Sequence, residues 1–234
     1  MGRLILVVDD DRTIVNMINI NLKKNGYETI CAYDGEAGLE MALTKQPDLV
    51  LLDVMMPKMN GDAVCRKIRE KSDVPIIMIT ANATEEIDIV FGLEIGADDY
   101  VTKPFKPSIR VLMAKVKANL RRQEASKTED KNGGAQQFGD FVVDTSKYEV
   151  MKNGEPVRLT NKEYELFYFL ATHANQVFTR DELLEKVWGY EYFGVGDGRN
   201  VDVAVRRLRE KIEPGPEPKY IISKRGKGYY FDLP

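Results

Sequence analysis

The first 122 residues alternate short apolar runs with longer stretches of helical period. The apolar runs are rich in Val, Ile and Leu, as in Leu4–Val8, Leu49–Leu52 and Ile76–Ile79. Between the first two runs, apolar residues recur at helical spacing, from Ile14 to Leu22. This repetition of strand and helix predicts an α/β domain, in which a doubly wound parallel sheet carries helices on both faces.

Polar side chains stand directly after these predicted strands. They are Asp9, Asp10 and Asp11 after LILVV, Asp53 after LVLL, Thr80 after PIIMI and Lys103 after DDYVT. Because the carboxyl ends of parallel strands converge on one crevice, we expect these groups to meet at a single site. Carboxylates suit a divalent metal, and a hydroxyl and an ammonium group beside them suit a phosphoryl group.

Charge is distributed unevenly along the chain, whose formal net charge is -3. Residues 198–228 contain nine Lys and Arg against four Asp and Glu, whereas residues 137–197 contain six against eleven. A basic segment in an otherwise acidic chain suits a polyanionic partner, and it is equally compatible with a solvated basic face. The pattern of the surrounding residues has to decide between these interpretations.

Membrane insertion is not expected from this sequence. No apolar run approaches the ~18 residues of a membrane span. The amino terminus enters a predicted strand within three residues and does not form the apolar core of a signal peptide. We therefore expect a soluble, cytoplasmic protein.

From Gln123 the alternating pattern gives way to the polar stretch QEASKTEDKNGGAQQ. This composition, which contains glycine and lacks apolar periodicity, is typical of a flexible linker. A chain of 234 residues also suits two domains of ordinary size. We therefore predict one domain over residues 1–122, a linker over residues 123–136 and a second domain over residues 137–234.

The second domain begins with short strands and continues with helices. Strands are predicted over Phe141–Val143 and Tyr148–Met151, and Asn153-Gly154 is a hairpin signal. Capping boxes, Thr160 with Glu163 and Thr179 with Glu182, predict two helix starts, and a third helix is predicted over Asn200–Ile212. The final segment, YIISKRGKGYYF, predicts a hairpin with a basic tip.

The third of these helices has two distinct faces. Its apolar stripe contains Val201, Val205, Leu208 and Ile212. Its opposite face contains Arg199, Val203, Arg206, Arg207 and Glu210. An exposed valine among arginines favours a helix in the DNA major groove, because arginine donates to guanine and an alkyl group contacts a thymine methyl. At the hairpin tip, Arg225 with its neighbour Lys227 suits a minor groove or phosphates.

Taken together, the motifs resemble those of two-component response regulators of the OmpR/PhoB family. The first half contains VVDDD, LLDVMMP, MIT and GADDYVTKPF, and the second half contains WGY, RNVDVAVRRLREKIE and KRGKGYYF. The resemblance covers nearly the whole chain except the predicted linker. It implies a receiver domain with a five-stranded, flavodoxin-like parallel sheet, followed by an α+β winged helix-turn-helix domain.

The resemblance also implies the chemistry of the acidic site. Asp53 would accept a phosphoryl group from a sensor histidine kinase. Mg²⁺ would be held by Asp10, by Asp9 directly or through water, by Asp53 and by the Met55 carbonyl. Lys103 would pair with Asp53 and then with a phosphoryl oxygen, and Thr80 would donate its hydroxyl to another. Asp11 has no implied role and suits the N-cap of the following helix.

Signal output in this family depends on a switch. The resemblance implies that Thr80 moves towards the phosphoryl group, that Tyr100 turns inward, and that the altered face pairs two receivers. A homodimer would then place two winged helices on a direct repeat in DNA. The residues at the positions of the dimer face are Ile89, Asp98, Asp99, Val111, Lys115 and Arg122. Ile89 and Val111 stand where a basic residue and a glutamate are expected, so an apolar contact is predicted to replace one ion pair.

Carried over to the winged helix, the resemblance implies three kinds of DNA contact. Val203 and Arg207 would contact base edges, and Arg225 would enter the minor groove. Arg199, Arg206 and Arg209 would contact phosphates. The loop from Gly189 to Gly198 is predicted either to contact RNA polymerase or to be a plain connection.

Two other functions compete with this interpretation. A phosphoaspartate enzyme of the haloacid-dehalogenase type needs a second acid two residues after its nucleophile, and Met55 occupies that position. We therefore expect no turnover enzyme, with slow loss of the protein's own phosphate at most. A DNA-binding protein that works without phosphorylation would be expected to lack a metal acid, the nucleophile or the lysine, and all of these are present.

Overall fold

The apolar runs of the N-terminal half form one parallel sheet. Its strands are β1 (Leu4–Val8), β2 (Glu28–Ala32), β3 (Leu49–Asp53), β4 (Ile76–Thr80) and β5 (Asp99–Thr102). The strand order is β2-β1-β3-β4-β5, and every neighbouring pair is parallel. The central strands are buried on both faces, which explains why they read as continuous apolar runs. The predicted doubly wound sheet of five strands is confirmed.

This computed structural model describes residues 2–80, 95–105, 109–128, 134–189 and 199–233. The chain divides into two compact units, Met1–Leu120 and Arg121–Pro234. Among the described residues, no helix is long and apolar enough to cross a membrane.

Four helices accompany the sheet in the described part of the N-terminal half. They are α1 (Arg12–Lys24), α2 (Gly35–Lys45), α3 (Gly61–Arg69) and α4 (Arg110–Thr128). The first three begin at the capping side chains of Asp11, Asp34 and Asn60, each of which accepts a backbone hydrogen bond from the first turn. The structural interpretation of Asp11 as an N-cap is therefore confirmed.

The two faces of the sheet bury alternate residues of each strand. On one face, β1 contributes Ile5 and Val7 to an apolar cluster with Ile18 of α1 and Val116 of α4. On the other face, Val8 lies against Gly38 of α2, where an added Cβ would come within 2.5 Å of a Val8 methyl. Helices therefore cover both sides, and the polar residues at the strand ends remain at the edge of the sheet.

Part of the segment predicted as a linker, residues 123–136, is helix or strand. Helix α4 continues to Thr128, and strand β6 (Ala135–Phe138) begins inside the segment predicted as linker. Gln, Glu, Ala and Lys are good helix formers, so a polar stretch without an apolar stripe can still prolong a helix that has already begun. Lack of apolar periodicity was therefore a poor guide to where this helix ends.

The C-terminal unit opens with an antiparallel sheet. Its strands follow one another in the order β6, β7 (Phe141–Asp144), β8 (Glu149–Lys152) and β9 (Glu155–Val157). The two-residue loop between β8 and β9 is Asn153-Gly154, and both residues have positive φ angles, 51° and 85°. This is the backbone that a tight hairpin requires, so the predicted hairpin is confirmed.

Among the described residues that follow, there are three helices and a hairpin. The helices are α5 (Asn161–Thr172), α6 (Arg180–Leu183), which continues as a π-helical turn over Leu184–Trp188, and α7 (Arg199–Ile212). The hairpin consists of β10 (Ile221–Lys224) and β11 (Gly228–Phe231). Both predicted capping boxes are present at the starts of α5 and α6. The predicted stripe of α7 is buried in the apolar core of this unit.

The final hairpin is attached to the chain before α6 by a close backbone contact. Phe178 and Tyr229 exchange two backbone hydrogen bonds of 2.9 Å each. Gly228, whose φ is 125°, lies so close to this segment that an added Cβ would be 1.9 Å from the Phe178 carbonyl oxygen. Only glycine permits this approach of the two backbones.

We expect Gly228→Ala to lower the free energy of unfolding of the C-terminal unit by about 3 kcal/mol. Backbone strain of about 1–2 kcal/mol adds to an overpacking cost of about 1–3 kcal/mol. Denaturant unfolding followed by the fluorescence of Trp188, the single tryptophan of the chain, reports on this unit alone. Gly226→Ala is the matched control, because Gly226 has a φ of 67° and no atom within 4 Å of an added Cβ. Equal losses for the two variants would contradict the close approach.

Candidate functional sites

The ends of strands β1 and β3 bring three carboxylates together. Ligand oxygens of Asp9, Asp10 and Asp53 all lie within 4.8 Å of one another. Asp9 and Asp53 are buried, and Asp10 is exposed. The sheet therefore assembles the acidic site that the strand ends predict, with one side open to solvent.

Lys103 lies at the centre of this cluster. Its ammonium nitrogen is 2.8 Å from Asp9 Oδ2 and 2.7 Å from Asp53 Oδ1. It follows β5, and its backbone N–H donates to the carbonyl oxygen of Thr80 at the end of β4 at 2.6 Å. Thr80 is itself buried. Strand ends of β1, β3, β4 and β5 thus place these predicted residues at the same edge of the sheet.

Electrostatics at this site favour an additional cation. Burial raises the pKa of Asp53, and the charges of Asp9 and Asp10 act in the same direction, so the hydrogen bond from Lys103 does not offset them. Burial acts to lower the pKa of Lys103, but its bonds to Asp53 and Asp9 raise it overall. Three carboxylates against one ammonium group leave two negative charges, which a divalent cation would balance. The hard oxygen donors fit Mg²⁺ in type as well as in charge.

The loop after Asp53 is held tightly at both ends. The backbone N–H of Val54 donates to the Ile79 carbonyl, and that of Gly61 donates to the Val54 carbonyl, each at 2.9 Å. A Cβ on Gly61 would lie 2.1 Å from the Asp53 carbonyl oxygen, so glycine is required there. Met55 has an exposed side chain in this loop. The Met55 carbonyl, which is predicted to hold a metal ion, therefore belongs to a loop with a fixed start and a fixed end.

The charges predicted for a dimer face have partners within the same chain. Asp98 is buried, accepts from the Ile76 backbone N–H at 2.9 Å and bonds Arg69 at 2.7 Å. Asp99 is also buried and bonds Lys115 at 2.8 Å. Asp98 and Asp99 are thus engaged within the single chain, and their place on a dimer face stays a prediction. The sequence could not reveal that Arg69 and Lys115 approach them.

Val111 and the switch residue Tyr100 lie among the described residues of that region. Tyr100 is buried, and the Lys115 ammonium lies 5.7 Å from its ring centre. Val111 is half-buried in the first turn of α4. Ile89 lies outside the described residues, as does the Arg122 side chain, whose backbone belongs to α4.

Helix α7 carries its arginines differently from the prediction. Val203 is only 7% exposed, so the expected exposed valine is wrong. Arg206 has a side chain 52% exposed, 3.7 Å from Glu210 one turn later. Arg207, predicted on the same open face, has a side chain 13% exposed, and its Nη2 lies 2.8 Å from Glu163 of α5. Helical periodicity predicts which residues share a face of α7, but it cannot show that α5 packs against Arg207 and reduces its exposure.

Arg209 is also engaged within the unit. Its guanidinium donates to the Ile221 carbonyl from Nε at 2.9 Å and from Nη2 at 2.5 Å, and to Ser223 Oγ at 2.9 Å. It therefore fastens α7 to strand β10, and its contact with phosphate stays a prediction. The Arg199 side chain lies outside the described atoms, as do residues 190–198 of the predicted polymerase loop. Arg225 and Lys227 are exposed in the turn between β10 and β11.

One cluster beside α7 was missed by the sequence analysis. The Tyr229 hydroxyl donates to Asp202 Oδ1 at 2.6 Å, and Arg180 Nε donates to the same oxygen at 2.7 Å. The Arg180 guanidinium also lies 5.1 Å from the Tyr229 ring centre. Burial and the bond to Asp202 raise the pKa of Tyr229 to about 12. The cluster ties α6, α7 and β11 together, and only the capping box at Thr179 hinted at the place of Arg180.

We expect Asp53→Asn to stabilise the N-terminal unit at neutral pH when divalent cations are chelated. Because the pKa of Asp53 is raised in the folded state, its ionisation destabilises the fold as pH rises from 3.8 through the raised value. Asparagine escapes this loss, so its advantage should grow with pH and vanish in acid. Thermal unfolding by circular dichroism as a function of pH measures the difference.

Asp11→Asn provides the matched control for that measurement. Hydrogen bonds from the backbone N–H groups of Thr13 and Ile14 lower the pKa of Asp11, so its ionised form supports the fold above pH 3.8. The control should therefore gain nothing at neutral pH. A stabilisation of the same size in both variants would contradict the repulsion inferred at Asp53.

Comparison with known proteins finds a matching family in each half of the chain. Residues 5–117 match the response regulator receiver domain, and residues 154–231 match the C-terminal domain of transcriptional regulatory proteins. A solved structure of DrrB, an OmpR/PhoB homologue from Thermotoga maritima, is 35% identical over 99% of this chain and 100% of that chain, with a TM-score of 0.52. A variant of RitR is 26% identical over the full length of both chains, with a TM-score of 0.74.

These matches confirm the resemblance carried by the sequence motifs. The N-terminal unit has the sheet of a receiver, and the C-terminal unit has the helices and the hairpin of a winged helix. A receiver implies a kinase as phosphodonor, and the second domain implies DNA as partner. The chain belongs to the OmpR/PhoB family of two-component response regulators and is a transcription factor of that type.

Proposed function

We propose that the protein is a transcriptional regulator controlled by phosphorylation of Asp53. The phosphoryl group would come from the phosphohistidine of a sensor histidine kinase, with Asp53 as nucleophile. The observation that carries this proposal is the position of Lys103, whose ammonium lies within 2.8 Å of both Asp9 and Asp53. An ammonium group in this position can pair with the Asp53 carboxylate before the reaction and with a phosphoryl oxygen after it.

Mg²⁺ is the cofactor that suits this site. Asp9, Asp10, Asp53 and the Met55 carbonyl would hold it, using oxygen donors throughout. When bound, the ion neutralises charge on the phosphoryl oxygens. Thr80 would donate its hydroxyl to one of these oxygens, since it ends the strand beside Asp53.

The residue near the nucleophile does not favour a turnover enzyme. The position two residues after Asp53 is Met55, which has no acid or base to activate water. We therefore propose a phosphoacceptor that loses its phosphate slowly. The intact set of Asp9, Asp53 and Lys103 favours control by phosphorylation over a purely structural receiver.

Phosphorylation would act through a homodimer bound to direct-repeat DNA. Thr80 and Tyr100 would couple the acidic site to the dimer face. Asp99 and Lys115 bond each other within the chain, so fewer charges are offered to a partner than in the family pattern. This favours an apolar contact at Ile89 and Val111, although Ile89 lies outside the described residues.

DNA would be bound by α7 and the following hairpin. Arg206, Arg225 and Lys227 are exposed, which suits contact with phosphates or the minor groove. Arg207 would read a base edge from its more enclosed position beside Glu163. The loop over residues 189–198 is proposed as a contact for RNA polymerase.

We expect beryllofluoride with Mg²⁺ to convert the wild-type protein from monomer to dimer, as measured by light scattering. Asp53→Asn should stay monomeric, because it loses the oxygen that coordinates beryllium. The dimer should also persist at high salt if an apolar contact replaces the ion pair. If the wild-type protein keeps the mass of a monomer with beryllofluoride and Mg²⁺, phosphorylation-driven dimerisation is contradicted. If the dimer forms but its dissociation constant rises steeply with salt, only the apolar contact is contradicted.

We expect Arg206→Ala and Arg207→Ala to affect DNA binding in different ways. Arg206→Ala should weaken binding to all sequences alike, because a phosphate carries no sequence information. Arg207→Ala should cost about 1–3 kcal/mol on the preferred site and relax sequence preference. Affinities for a duplex selected from a random pool and for its scrambled version measure both effects. Equal losses on both duplexes for Arg207→Ala would rule out base reading by this residue.

A further inference from the structure

Glu163 makes more contacts than a helix cap requires. Its Oε2 accepts from the Thr160 backbone N–H at 2.8 Å, which is the capping-box bond. The same oxygen lies 2.6 Å from the Lys211 ammonium, and Oε1 lies 2.8 Å from Arg207 Nη2. One carboxylate of α5 therefore holds two cations of helix α7.

Comparison with the second capping box separates the two roles. Glu182 occupies the same place at the start of α6, and it accepts from the Thr179 backbone N–H at 2.7 Å and from its hydroxyl at 3.0 Å. Glu182 is exposed, whereas Glu163 is 1% exposed. Both residues cap a helix, but only Glu163 pays the desolvation cost of a buried carboxylate.

The charges of α7 offset that cost. Burial acts to raise the pKa of Glu163, but Arg207 and Lys211 lower it overall, so the carboxyl is ionised at neutral pH. Arg207 and Lys211 are four residues apart and therefore share a face of α7. That face meets the first turn of α5.

This contact constrains the orientation of Arg207. A guanidinium is planar and rigid, so an ion pair that holds its Nη2 atom beside Glu163 restricts the orientation of the whole group. The carboxylate also neutralises its charge. An arginine neutralised in this way contributes little sequence-independent attraction to phosphates, so its contribution on DNA would come from hydrogen bonds to a base edge.

We propose that Glu163 is a positioning residue that orients Arg207 and so sets the sequence preference of the winged helix. The inference rests on the proposed function, in which Arg207 reads a base. Without the Glu163 charge, the arginine would be free to swing towards the nearest phosphate. Affinity for arbitrary DNA would then be kept or raised, and discrimination between sequences would fall.

Glu163→Gln in the full-length protein tests this inference. Glutamine retains the capping-box bond and nearly the same shape, but it removes the charge that holds Arg207. The measured quantity is the ratio of dissociation constants on scrambled and selected duplexes. We expect this specificity ratio to fall about tenfold, the equivalent of about 1.4 kcal/mol.

Glu182→Gln is the matched control. It removes the same charge from the same position of another capping box in the same unit. Any general gain in attraction to DNA should appear in both variants, so only the specificity ratio separates them. A ratio that changes equally in the two variants would overturn the inference.

The salt dependence of binding gives an independent readout. If Arg207 is released to a phosphate, Glu163→Gln gains about one phosphate contact, and the slope of log Kd against log salt concentration should increase by about one. The slope should stay unchanged for Glu182→Gln. Glu163 also holds Lys211, so a steeper slope that persists for Glu163→Gln in the Arg207→Ala background would come from Lys211 and would contradict the release of Arg207.

A double-mutant cycle distinguishes the failure of this inference from the failure of the proposed function. If Glu163 acts through Arg207, Glu163→Gln should lower the ratio no further in an Arg207→Ala background. If Arg207→Ala alone leaves the ratio unchanged, base reading by Arg207 fails. If Arg207→Ala lowers the ratio and Glu163→Gln does not, only the positioning role fails.

Folding of Glu163→Gln is checked by Trp188 fluorescence and circular dichroism. If this variant is unfolded, Glu163→Asp provides the test, because it keeps the charge and a cap-compatible acid but withdraws the carboxylate by one methylene. We expect it to lower the specificity ratio as well. A folded aspartate variant with the wild-type ratio would overturn the inference.

Discussion

The N-terminal half depends on one buried arrangement, in which the Lys103 ammonium lies between Asp9 and Asp53. Carboxylates this close repel each other, and burial strengthens the repulsion because the local dielectric is low. A cation between the ends of β1 and β3 offsets this repulsion. Lys103 supplies that cation from the end of β5. The site therefore forms only if the sheet brings the end of β5 close to the ends of β1 and β3. The site is thus stable enough to form and still negative enough to attract a divalent ion.

The C-terminal unit follows the same rule at a helix junction. Glu163 would be costly inside the fold without Arg207 and Lys211, and these cations come from a helix far away in sequence. Such a pair contributes little net stability when compared with apolar residues of the same size. Its value lies in geometry, because the pair fixes how α5 and α7 face each other. In both units a buried ion contact specifies which elements meet, while apolar packing provides most of the stability.

Local patterns predicted most of the fold. The apolar runs gave the central strands, Thr160 and Thr179 gave two helix starts, and Asn153-Gly154 gave a hairpin, because each of these signals is contained in a few neighbouring residues. The convergence of strand ends predicted the acidic site. Partners distant in sequence could not be predicted, since nothing local links Asp98 to Arg69 or Glu163 to Arg207. Such pairs decide exposure, which is why Arg207 is less exposed than the helical period predicts.

The arginines of α7 show how much depends on such distant partners. Arg206 and Arg207 are neighbours of the same type, and helical periodicity alone gives them similar exposure. Arg206 is 52% exposed beside Glu210 of its own helix, whereas Arg207 is enclosed against the buried carboxylate of α5. The first arrangement suits a mobile contact to the uniform charge of phosphates, and the second suits a fixed direction towards one base. Residue type and helix position do not separate these two arrangements, because the partner that distinguishes Arg207 is an acid on another helix, Glu163 of α5.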